Sequence, residues 1–163
     1  MSFTTFSGPL RSGTVRQGTV ASGMNAGTPI LAQTATVSYA AMTTSPTAQA
    51  LFVIPAGAKL VRFDIEVVTA ISGGSVSNVG VTIGNSVTAN KYVTSINTGL
   101  TSVKVAQATI DAAMVVAQTN NIGTSDVTIY GTFTAATGNP TAGSTVVTVE
   151  YLQRAQDGSA NPV

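Results

Sequence analysis

Residues 59–71 read KLVRFDIEVVTAI. Val61, Phe63, Ile65 and Val67 alternate with Leu60, Arg62, Asp64 and Glu66. A strict period of two describes a strand with one apolar face and one polar face. The first set is expected to point into a core and the second to lie outward. Ser72-Gly73-Gly74-Ser75 follows as a turn, and residues 76–84 (VSNVGVTIG) repeat the pattern with Val79, Val81 and Ile83 inward.

The same grammar extends in both directions. Residues 30–42 (ILAQTATVSYAAM) set Leu31, Gln33, Ala35, Val37 and Tyr39 against Ala32, Thr34, Thr36 and Ser38, which predicts a strand. Residues 50–54 (ALFVI) form a short apolar strand, and Pro55-Ala56-Gly57 turns the chain. Further strands are expected at 86–94, a run containing Tyr92, and at 100–110. Residues 111–118 (DAAMVVAQ) read either as strand or as a single helical turn capped by Asp111. Residues 126–135 and 143–152 are expected to pair through the connection ATGNPTAG. Strands in succession, each closed by a turn signal, with almost no helix, describe an all-β antiparallel β-sandwich of jelly-roll type.

The domain divides into three parts. Residues 1–29 are an extended N-terminal arm, broken by Gly8, Pro9, Gly13, Gly18, Gly23, Gly27 and Pro29. Residues 30–152 form the sandwich, and residues 153–163 are a polar C-terminal tail. The arm's apolar residues are too widely spaced for a core of its own. Phe3, Phe6, Leu10, Arg11 and Arg16 are residue types enriched at contact anchors, so they are the candidate contact residues.

Composition narrows the chemistry. The 163 residues are 44% hydrophobic, 6% aromatic and 8% charged, against about 25% charged in an ordinary domain. There is no His, Cys or Trp. Thiol nucleophiles, disulfides, imidazole or thiolate metal sites and the Ser-His-Asp triad are thereby excluded. The net charge of +1 offers no basic patch for nucleic acid or an acidic membrane. No window approaches 18 consecutive apolar residues, and MSFTTFSGPLRSG has no signal-peptide core. Asp64 and Glu66 share a strand face, about 7 Å apart by strand rise, the one spacing that suits paired-carboxylate catalysis. With Lys59 and Arg62 beside them they read as a solvated, ion-paired face. Oxygen-rich loops at Asp126 with Asn120 and Asn121, and around Asn139, are candidate calcium positions that ordinary turn chemistry also explains. The reading expects no enzyme, no cofactor and no metal. A surface so poor in charge is expected to be covered in part by partners, the other reading being a Thr/Ser-rich exterior that stays soluble through its hydroxyls.

Three stretches carry a resemblance: FTTFSGPLRSGTVRQGT (3–19), LFVIPAGAKLVRFDIEVVTAI (51–71) and DVTIYGTFTAATGNPTAGSTVVTVEYL (126–152). Together they resemble capsid decoration (cement) proteins of tailed bacteriophages, over most of the chain and through turn-and-strand grammar. The resemblance implies a virion structural protein on the capsid exterior. It would bind the major capsid protein, clamp neighbouring capsomers and assemble as a homo-oligomer, a trimer. The alternative is a receptor- or carbohydrate-binding module of a phage head or tail fibre.

Overall fold

The computed structural model describes residues 30–101, 104–105 and 122–152. They form two β-sheets. The first has the order β1 (Ile30–Ser38), β9 (Ala142–Leu152), β4 (Lys59–Ser72), β7 (Lys104–Val105). The second has the order β2 (Met42–Thr43), β8 (Val127–Ala136), β5 (Asn78–Gly84), β6 (Val93–Asn97). β3 (Gln49–Ile54) joins the second sheet by pairing antiparallel with β8 over Val127–Gly131, beside the short parallel bridge of Met42 and Thr43 to Phe133 and Thr134. All other pairings are antiparallel. The expected all-β sandwich is what the chain builds.

One core joins the inner faces of the two sheets. Leu60, Phe63, Ile65, Val67, Ile71, Val147, Val149 and Tyr151 come from the first sheet. Phe52, Ile54, Val79, Val81, Ile83, Val93, Ile129 and Phe133 come from the second. β-Branched residues dominate because they fit a pleated, half-buried surface. Phe63 and Tyr92 pack with ring centroids 6.1 Å apart across a tilt of 33°.

Consecutive strands mostly lie in different sheets. Among the described strands, β2 to β3 and β5 to β6 are the connections that stay within one sheet. This corrects the expectation that β8 and β9 pair through ATGNPTAG. β8 pairs with β2, β3 and β5, while β9 pairs with β1 and β4. The connection carries the chain from one sheet to the other. Hairpins and such arches use the same turn residues, so local sequence does not distinguish them.

Three further boundaries differ from the sequence reading. β1 stops at Ser38, and a 3-10 turn, Tyr39–Ala41, leads to β2. Tyr39 is therefore exposed, while Met42 beyond it is fully buried and anchors the crossing. In β4 the register against β9 shifts between Leu60 and Arg62. That bulge sends Leu60 into the core and leaves Val61 half-exposed, reversing the expected sides of these two residues. Residues 86–91 are not strand, because the Asn85 side-chain carbonyl accepts the N–H groups of Val87 (3.1 Å) and Thr88 (2.8 Å). This turn leaves Val87 88% exposed, and β6 starts only at Val93. Of the expected strand 100–110, the described part that is strand is Lys104–Val105. The 111–118 segment lies outside the described residues.

Candidate assembly surface

Phe3, Phe6, Leu10, Arg11 and Arg16 lie outside the described residues, as does the tail 153–163. The place where the arm meets the fold is described. Ile30 opens β1, which among the described strands lies at the edge of its sheet. β3 is the edge of the facing sheet on the same flank, since Gln33 Nε2 of β1 donates to the Val53 carbonyl of β3 at 3.0 Å. The same amide donates to the Tyr151 hydroxyl at 3.0 Å. A side chain thus ties the two sheets together at this rim. Around it Ile30 (61%), Leu31 (39%) and Val53 (53%) stand exposed.

The strands of this flank carry no charged side chain of their own. No Asp, Glu, Lys or Arg occurs between Arg16 and Lys59. That run includes all of β1, β2 and β3. Charges gather instead on the outer face of the first sheet. Arg62 binds Asp64 (Nε to Oδ2, 3.1 Å) and Glu150 (Nη2 to Oε1, 2.8 Å). The hydrogen bond to Glu150, then the charge of Asp64, hold the guanidinium above its ordinary range. The Asp64–Glu66 face is thus an ion-paired surface in which Arg62 engages Asp64.

The oxygen-rich loops hold backbone. Asp126 Oδ1 accepts the Ala56 N–H at 2.9 Å, fixing the turn between β3 and β4. Gly57 N–H to Gly123 O and Ile122 N–H to Ala58 O, both 2.7 Å, close the same contact. Asn139 Oδ1 accepts the Thr44 N–H at 2.8 Å. Asn120 and Asn121 lie outside the described residues. Among the described residues no three of His, Cys, Asp and Glu gather in a group that could hold a metal.

Asn139 belongs to a second region, where two connections meet. The β8–β9 connection lies against the β4–β5 turn: Thr137 Oγ1 donates to Ser75 O (2.6 Å), Thr141 N–H to Ser72 O (2.8 Å), Ser77 N–H to Ala136 O (3.1 Å). Ser75 and Thr137 both have positive φ, 60° and 67°, which the close approach imposes. Sequence reasoning marked these glycine-rich turns without pairing them. It also missed the neutral flank, although the 42-residue uncharged run from Gln17 to Ala58 was legible.

No protein-family model matches the chain, and no curated protein does. Two solved structures are similar in shape. One is a chain of the cyanophage Pam1 capsid asymmetric unit, with TM-score 0.49 and 15% identity over 85% of this chain and 95% of that one. The other is a chain of the acidic stable capsid of Helicobacter pylori bacteriophage KHP30, with TM-score 0.43 and 17% identity over 77% of this chain and 92% of that one.

Proposed function

We propose that this protein is a non-enzymatic structural component of a phage virion. It binds the outside of the capsid and cements neighbouring capsomers, with the arm 1–29 reaching the major capsid protein and the sandwich forming a homotrimer. The observation that carries this reading is the neutral flank of β1 and β3 with exposed Ile30, Leu31 and Val53, at the point where the arm leaves the fold. Exposed apolar side chains on an uncharged rim favour burial against a protein surface. The motif resemblance of residues 3–19, 51–71 and 126–152 supports the same conclusion. Sheet orders β1-β9-β4-β7 and β2-β8-β5-β6, with β3 also on β8 and most connections crossing between sheets, support reading the sandwich as a jelly roll.

A protein that binds only the assembled shell stabilises it by mass action, and many weak copies suffice. Co-sedimentation and negative-stain imaging of shells with and without the protein test this, together with the melting temperature of the shells. Decorated shells with a raised melting temperature are expected. Shells that stay bare and melt unchanged would refute the proposal.

A further inference from the structure

The outer face of the first sheet carries its charges in a definite order. Along β4 the residues on that face are Lys59, Arg62, Asp64 and Glu66, two cations followed by two anions. The bulge between Leu60 and Arg62 keeps all four on one side. Their register partners on β9 are Leu152, Glu150, Thr148 and Val146, so β9 places a half-exposed apolar residue at each end of the same stretch. Residues paired across two strands share a face, which makes these eight one surface. The Arg62 side chain is 45% exposed and that of Asp64 37%. Lys104 of β7 is the register partner of Glu66 and lies to the side of the β4 row.

This order is its own complement when reversed. Consider a two-fold axis that lies in the plane of contact and runs across the strands, midway between the levels of Arg62 and Asp64. It sets β4 of one copy antiparallel over β4 of another. Lys59 then faces the second copy's Glu66, Arg62 faces its Asp64, and Leu152 faces its Val146. Unlike charges meet and apolar meets apolar, in both directions, as an isologous contact requires. An axis along β4 would instead stack like charge on like, which is repelled. Lys59 and Glu66 each stand three residue steps, about 10 Å, from the first axis. Packed sheets cross at about 30°, which moves those positions sideways by about 5 Å, one strand spacing and within the reach of a lysine.

We propose that the outer face of β4 and β9 docks antiparallel on the same face of a second copy, with the charge order of β4 setting the register. The contact goes beyond the shell-binding role above and uses no residue of the arm. The bonds from Arg62 to Asp64 and Glu150 hold the centre of the face in place, so less side-chain freedom is lost on docking. Three strands, β1, β9 and β4, about 4.8 Å apart and about 30 Å long, present roughly 400 Å² per copy, which is small for a stable dimer. The contact is therefore weak and concentration-dependent. It gains strength where many copies are held close together.

The test is sedimentation of the full chain over a range of concentrations, with no shell present. A doubling step is expected, monomer to dimer or trimer to hexamer, and added salt should weaken it. Lys59→Glu and Glu66→Lys should each weaken that step at least about tenfold, because each turns two attractive contacts per pair into repulsive ones. Mixed one to one, the two variants should recover it, since every 59–66 contact between them is again one of unlike charges. The double variant Lys59→Glu/Glu66→Lys, with the charges exchanged within one chain, should double like the parent. A full chain that never doubles, single variants that double unimpaired, or a mixture and a double variant that both stay undoubled would overturn the contact. Shell co-sedimentation, measured separately, reports on the cementing reading alone.

Discussion

Gly74 and Gly138 meet backbone to backbone: a Cβ on Gly138 would overlap the carbonyl group of Gly74. Gly74 is in the left-handed region at φ 59°, whereas Gly138 is glycine for space alone. Gly138→Ala must therefore push the two connecting loops apart. We expect a loss of about 2 kcal/mol, within the range for overpacked sites, read by chemical denaturation. Gly80→Ala is the control. There a Cβ would find ordinary contact with Ser95 Oγ at 3.5 Å, and relief of strand-glycine entropy should leave stability equal or slightly higher.

The bulge at the start of β4 predicts opposite responses from adjacent residues. Leu60→Ala empties a fully buried site and should cost about 2–5 kcal/mol. Val61→Ala, on the half-exposed side, should cost less than about 1 kcal/mol. Equal losses in denaturant midpoint, or the reverse order, would contradict the register.

This bulge also marks the limit of what was legible beforehand. Alternation located the cores of β4, β5, β8 and β9 and the inward residues Phe63, Ile65, Val67, Val79, Val81, Ile83, Ile129 and Phe133. Periodicity is a local signal, and it carries across a strand until an inserted residue resets the phase, as Val61 does. It is silent about which sheet a strand joins. The apparent β8–β9 hairpin is consistent with every residue in it and is still an arch, because pairing depends on strands distant in sequence. The oxygen-bearing loop candidates were visible as residues, but their partners were not: the Asp126–Ala56 and Asn139–Thr44 bonds join loops 70 and 95 positions apart.

Thr145 is fully buried, and its hydroxyl has no hydrogen-bond partner. An unpaired buried hydroxyl keeps its desolvation cost with no return. Thr145→Val preserves shape closely and should raise stability by about 1 kcal/mol. A lower unfolding midpoint would mean that the hydroxyl is satisfied.

Burial pushes the Tyr92 phenol above its ordinary value of 10.0. The folded state thus holds this proton more tightly than the unfolded chain. The sign follows: the contribution is complete below about pH 10 and is lost as pH rises through the folded value. Unfolding midpoints measured across the alkaline range should fall less steeply for Tyr92→Phe than for the parent. Identical slopes would place the phenol in water.

The pairing of the first described strand with the last has a consequence for biosynthesis. β1 and β4 both pair with β9, whose final residue is Leu152, so the sheet they share cannot assemble until that strand has been translated, more than 110 residues after β1. High contact order of this kind slows folding, and the nascent polypeptide spends that interval with its neutral early strands unsatisfied. Slow induction at low temperature should accordingly improve the yield of recombinant product more than any change of buffer after lysis.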